Sequence, residues 1–177
     1  MRRPLHLVLA VSVVALGLVA ASRDAHAQEE NDTPAMLANR GPRLALGPVL
    51  LLPSRSGGPL GGGLDAEGRY GLKAGPTVLA PGVRLAAYFL SSRVIGTARP
   101  TFRVTIPIGP LAPFLVGGLG GGWISNPAEN GLAVMGGGGL MVHVGRVLAI
   151  GAEITYQEIR GTELGNLAIG PAIAFGG

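Results

Sequence analysis

From Val147 to Glu158 the chain alternates one residue at a time. Leu148, Ile150, Ala152, Ile154 and Tyr156 fall on one side; Ala149, Gly151, Glu153, Thr155 and Gln157 fall on the other. Period-two alternation defines a strand with one large apolar face and one small or polar face. About ten residues of this pattern is the length a tilted strand needs to cross a bilayer. The pattern recurs along the chain and predicts eight strands, at about 42–52, 67–76, 83–90, 99–108, 111–123, 132–144, 147–158 and 166–176. Between them, 53–66, 91–98, 124–131 and 159–165 read as longer loops rich in Gly, Ser, Arg, Asn or Glu. Gly109-Pro110 and Gly145-Arg146 read as tight turns, and 77–82 as a modest one. Long and short connections alternating around an even strand count predict an all-β fold. The specific expectation is a transmembrane antiparallel up-and-down β-barrel over 42–177, with both termini on the periplasmic side.

The start of the chain supplies the route to a membrane. Met1-Arg2-Arg3, an apolar run from Leu5 to Ala21 and the small-x-small site Ala25-His26-Ala27 together read as a cleaved secretory signal peptide over 1–27. Residues 28–41 read as a polar N-terminal lead. With no cysteine in the chain, a lipoprotein anchor and a disulfide framework are both excluded. No later run is long and apolar enough for a spanning helix. Yet charged residues are only 14%, against about 25% in ordinary soluble domains, and the mean hydropathy is +0.44. A closed barrel is the remaining way to satisfy the backbone in lipid. The pI of 10.3 carries little weight. Arg2, Arg3, Arg23 and Asp24 leave with the signal, so the mature chain keeps a small positive excess and no nucleic-acid footprint.

The faces of the predicted strands divide the chemistry. Leu72, Leu85, Val104, Ile106, Leu148, Ile150, Ile154, Ile169 and Ile173 are assigned outward, to lipid. Arg43, Glu67, Arg69, Lys73, Arg84, Arg99, Arg103, His143 and Glu153 are assigned to the lumen. Counting along strands four and seven puts Arg103 and Glu153 at similar depth on opposite walls. A carboxylate in so confined a space is costly unless paired, so a Glu153–Arg103 ion pair is expected, with Lys73 or Arg84 as second contact. The aromatic residues fall near predicted strand ends, as an interfacial girdle requires. Tyr70, Tyr88, Phe89, Phe102, Trp123 and Tyr156 are placed toward the loop side, and Phe114 and Phe175 toward the turn side. The glycine clusters at Gly61 to Gly63, Gly117-Gly118, Gly120 to Gly122 and Gly136 to Gly139 lack a phosphate-loop register, and Lys73 follows Leu72 rather than a glycine. They fit a narrow barrel, where glycine relieves crowding and lets the sheet bend. Pro48 and Pro171 lie inside strands one and eight, where each removes a ladder donor and leaves the continuity of the closing seam open.

These residues resemble the small outer-membrane barrels of Gram-negative bacteria, the eight-stranded OmpA and OmpX type, over about 42–176. The most local sign is Ala168-Ile169-Gly170-Pro171-Ala172-Ile173-Ala174-Phe175, similar to the C-terminal assembly signal of that class. Two departures stand out: a polar residue is usual where Ala168 stands, and the aromatic is usually last, whereas Gly176-Gly177 follow here. The resemblance implies outer-membrane lipid and lipopolysaccharide as surroundings and the barrel-assembly machinery as the partner for insertion. It implies no single activity, since such barrels include tethers, adhesins, small pores and lipid enzymes.

Catalysis has little to build on in this sequence. After cleavage only His143 remains as histidine, at the turn end of strand six. Ser54, Ser56, Ser91, Ser92 and Ser125 lie in or beside the loops of the opposite end. A nucleophile and its base must stand within hydrogen-bond reach. No H-E-x-x-H or G-x-S-x-G is present, and one histidine without cysteine does not make a metal cluster. The expectation is a structural or weakly permeable barrel with no catalytic, metal or cofactor site. Two alternatives are a surface-binding barrel acting through its loops and a soluble periplasmic barrel of lipocalin type, its apolar face turned inward around an apolar ligand.

Overall fold

The computed structural model describes residues 32–54, 59–162 and 164–176. The signal peptide expected over 1–27, the first residues of the lead (28–31), Ser56 and Gly177 lie outside the described residues. From Gly41 onward the described chain forms one closed antiparallel barrel in the order β1 to β8, each strand beside its sequence neighbour and β8 closing on β1. The strands are β1 (Gly41–Pro53), β2 (Gly61–Ala74), β3 (Thr77–Leu90), β4 (Arg93–Thr105), β5 (Leu111–Ser125), β6 (Ala128–Val144), β7 (Leu148–Arg160) and β8 (Gly165–Gly176). Below, the near end carries Gly41 and Gly176, and the far end is opposite.

The faces follow the alternation. Leu85, Ile106, Ile150, Ile154 and Ile173 are exposed on the outside, while Arg43, Glu67, Arg69, Arg84, Arg99, Arg103 and His143 are buried inside. That reverses the lipocalin-type alternative, which needs the large apolar side chains within. The outer surface instead exposes many Leu, Ile and Val side chains, a surface suited to lipid rather than water.

Three strands are longer than the sequence reading placed them. β2, β3 and β4 each begin six residues earlier than expected, so 61–66, 77–82 and 93–98 are strand rather than connections. The connections are Gly75-Pro76 and Ser91-Ser92. The segment 124–131 likewise shrinks to a turn at Asn126-Pro127, and the contrast between long and short connections largely disappears. Glycine and proline, read as punctuation, are here accommodated inside the sheet. Gly63 is an example: a Cβ there would fall 2.3 Å from the Ala87 carbonyl oxygen and 2.5 Å from the Tyr88 ring. Only a bare backbone lets that ring turn inward. Pro81 sits where pairing between β2 and β3 lapses, between Arg69↔Gly82 and Leu72↔Leu79, so its missing donor breaks no ladder bond there.

The closing seam is interrupted where the prolines fall. Pairing of β1 with β8 runs over Arg43 to Leu46 and resumes at Leu50, omitting Gly47 to Val49 and Gly170 to Ala172. Gly47-Pro48 and Gly170-Pro171 face each other reciprocally. A Cβ on Gly47 would lie 2.2 Å from the Pro171 carbonyl oxygen, and one on Gly170 would lie 2.1 Å from that of Pro48. Each proline is therefore met by a glycine.

The lead contains an element that hydrophobic patterning did not reveal. Pro34–Asn39 forms a six-residue helix, α1, with Thr33 as its N-cap, the Thr33 hydroxyl accepting from Met36 N at 3.2 Å. Threonine followed by proline is a helix-start signal. Ala35, Met36, Ala38 and Asn39 are buried, so α1 seals the near end. Ala35 N donates to Gly109 O at 3.3 Å. Asn39 Nδ2 donates to Ala35 O at 2.8 Å and contacts His143 Nε2 at 2.7 Å.

Candidate functional site

The lumen is the only interior this chain builds among the described residues, and it is stacked in layers. At the near end Ala35, Ala45, Ala112, Phe114, Val116, Met135, Met141, Ala149 and Ala174 form an apolar cluster. At the far end Leu51, Ala86, Tyr88, Leu90, Ile95, Ile124, Ala133, Ile159 and Ala168 form a second. Between them lie the charges. Inward positions on β2, β3 and β4 send the side chains of Asp65, Glu67, Arg69, Arg84, Thr101 and Arg103 into one middle layer, and β7 adds Glu153 from the facing wall.

Glu67 is the hub. It is fully buried, and its Oε2 accepts from Arg103 Nη2 at 2.5 Å, Arg84 Nη2 at 3.1 Å and Arg69 Nη1 at 3.3 Å. Its Oε1 accepts from the Thr101 hydroxyl at 3.2 Å. Glu153 accepts from Arg103 Nη2 at 3.1 Å and from both terminal nitrogens of Arg84, the Nη2 contact also at 3.1 Å. Asp65 Oδ2 stands 3.4 Å from Arg84 Nη1. Arg84 thus bridges three carboxylates and Arg103 two, which offsets the desolvation of the charges on both sides. Arg103 also lies flat over Phe114, 3.8 Å from the ring centroid, a cation–π contact in a water-poor setting.

The sequence-derived site residues therefore distribute unevenly. Glu153, Arg103 and Arg84 meet. Lys73 is the penultimate residue of β2, two before the Gly75-Pro76 turn at the near end and six residues along the strand from Glu67. Glu67 was assigned to the lumen, but its central place was not seen, because a strand starting at residue 67 puts it at the rim. Asp65 fell in an expected loop for the same reason. Beside the network, against the seam, is a cavity of ≈ 30 Å³ lined by Gly47, Asp65, Arg84, Arg103, Glu153 and Pro171, room for about one water.

The aromatic residues need three corrections. Phe114 is 4% exposed and faces the lumen, not lipid, because its position on β5 is in phase with Ala112 and Val116. Tyr70 and Phe102 lie in the near half of the barrel rather than at the loop side. Tyr70 pairs with Pro42 and Phe102 with Pro81, a shift that follows from the longer β2 and β4. The outward-facing rings are then Phe89, Trp123 and Tyr156 toward the far end and Tyr70, Phe102 and Phe175 toward the near end, all exposed. Trp123 lies across Gly96, where a Cβ would fall 2.1 Å from the indole, the arrangement by which an aromatic covers a strand glycine. Tyr88, near the far end, points inward.

His143 and the described serines stand apart. Ser54, Ser91, Ser92 and Ser125 are at the far end, and His143 is at the near end against Asn39. No group of three or more metal-ligating side chains occurs among the described residues, and no described helix is long and apolar enough to cross a membrane.

No protein-family model matches this chain, and no curated protein does. Solved structures do. Neisserial surface protein A superposes with a TM-score of 0.59 at 11% identity, over 76% of this chain and 96% of that one. The N-terminal β-barrel domain of OprF from Pseudomonas aeruginosa gives 0.54 at 13%, over 77% and 97%. The outer membrane enzyme PagL gives 0.52 at 12%, over 76% and 98%. At such identities the likeness concerns the fold alone. That fold is the eight-stranded closed antiparallel barrel of small outer-membrane proteins.

Proposed function

We propose that this chain, having that fold, is an outer-membrane barrel of a Gram-negative envelope whose work is structural, with a lumen closed to solutes and no catalytic centre. It is exported by the signal at 1–27, inserted by the barrel-assembly machinery and surrounded by lipid and lipopolysaccharide. The observation that carries this reading is the filled lumen: a Glu67-centred ionic layer between two apolar clusters, with α1 across the near end. Eight strands enclose just enough space for side chains, and here they occupy it. PagL shares the fold and is an enzyme. In this chain, however, the described serines and His143 are held at opposite ends by the length of β6, and nucleophile and base have no common place to act. The far-end turns Ser91-Ser92 and Asn126-Pro127 offer little surface for a loop-borne partner.

Three measurements test this. The protein should fractionate with the outer membrane, migrate differently on gels when unboiled, and give no steady conductance in planar bilayers. A soluble periplasmic protein without heat-dependent mobility would overturn the location; a stable open channel would overturn the closed lumen.

Phe175 addresses assembly. It is exposed on β8 and pairs with Leu44 and Leu148, so its loss should cost the folded barrel little. Phe175→Ala should still lower the amount of barrel in the outer membrane while refolding in detergent proceeds as in the wild type. Unchanged levels in cells would remove the assembly-signal reading.

A further inference from the structure

Above the ionic layer the far half of the lumen contains one more arginine, and its surroundings differ. Arg99 on β4 is 1% exposed. Its Nη1 donates to Gln157 Oε1 at 2.9 Å and its Nη2 to the Tyr88 hydroxyl at 3.3 Å, both neutral acceptors. The Tyr88 hydroxyl itself donates to the same Gln157 oxygen at 2.8 Å, so that oxygen is fully used. Arg99 Nε has no acceptor among the described residues. Two residues along on the same face, the buried Thr97 hydroxyl has no partner either.

Both side chains line one cavity of ≈ 20 Å³, shared with Gln157 and Asn166 and walled by Leu51 and Ile159. Glu158 reaches its rim, but its carboxylate is turned outward to the Tyr156 hydroxyl at 3.5 Å. The carboxylates within the lumen, Asp65, Glu67 and Glu153, are engaged by Arg69, Arg84 and Arg103. A guanidinium cannot shed its proton; Arg99 feels the charge of Asp65, but that carboxylate pairs with Arg84, and a buried cation whose hydrogen-bond acceptors are all neutral is unfavourable. What the cavity lacks is an acceptor that also carries negative charge.

We propose that this cavity binds a single small monovalent anion, chloride in ordinary media, held by Arg99 Nε and the Thr97 hydroxyl. Its volume admits one water-sized particle and excludes phosphate, sulfate and organic acids. The apolar walls keep bulk water from competing. A water molecule would satisfy the two donors but bring Arg99 no counter-charge in direct contact, and the proposal rests on that difference.

Crystals of the wild-type barrel grown in sodium bromide should show an anomalous peak between Arg99 and Thr97. In detergent at fixed ionic strength, chloride should raise the thermal midpoint above that in gluconate, in a saturable way, as for any ligand that binds only the folded state. The rise should vanish in Arg99→Gln and shrink in Thr97→Val, which keeps the side-chain shape if the first variant fails to fold. Absence of the bromide peak, or equal wild-type midpoints in the two salts, overturns the proposal.

Discussion

Replacing Glu67 by Gln is expected to destabilise the barrel by about 3–5 kcal/mol, the range for removing one partner of a buried ion pair. The reason is the number of cations that depend on it. Arg103, Arg84 and Arg69 all reach its Oε2, and none can lower its charge by releasing a proton. Glu153→Gln should cost less, because Glu153 borders a cavity where water can enter and its side chain is 12% exposed. Combining Glu67→Gln with Arg103→Met should recover part of the loss, since the second change removes the stranded charge. Urea unfolding of the refolded protein measures all of these. A Glu67→Gln loss below about 1 kcal/mol, strictly additive with Arg103→Met, would show that the layer is held by packing rather than charge.

On the outside, Ile154→Arg should cost roughly 2–4 kcal/mol for refolding into lipid vesicles, the range for a cation on the lipid face near the bilayer midplane. Ile154 is mid-strand in β7 and 46% exposed, so it touches the surrounding medium and not the lumen. Val147→Arg, before the start of β7 at the near end, should cost far less because depth sets the penalty. If Ile154→Arg refolds as readily as the wild type, the apolar band does not meet hydrocarbon. A face in water would accept the arginine without loss.

The sequence made the fold legible through β7 and its repeats. Strict alternation gave the strand type and the facing, and the charged lumen followed from which residues share a face. Depth was harder to read. A strand's register is set by its two neighbours, while its ends are read from local composition. Gly61 to Gly63 and Pro81-Gly82 look like turns locally, and β2 and β3 run through them because adjacent strands supply the pairing. The late start given to β2 moved Glu67 to the rim, Asp65 into a loop and Tyr70 to the wrong end, and the late start given to β4 did the same to Phe102. The Arg103–Glu153 contact was within reach because β7 starts just after Gly145-Arg146, so residues could be counted from a fixed point. The short α1 carries no periodic stripe, and only Thr33-Pro34 announces it.

The reciprocal Gly-Pro pairs of the seam have a consequence for the chain before it closes. Until β8 meets β1, both are open edges offering unpaired backbone groups to any other strand, in the same molecule or another. A proline within an edge withholds a donor there and makes it a poor template for a foreign strand with side chains at the matching positions. Each edge has its own complement, since Gly47 leaves space for the Pro171 carbonyl and Gly170 for that of Pro48. The two edges therefore discriminate: they fit one another and reject most alternatives. The hydrogen bonds missing from the finished barrel are the cost of a chain that closes on itself rather than joining its neighbours.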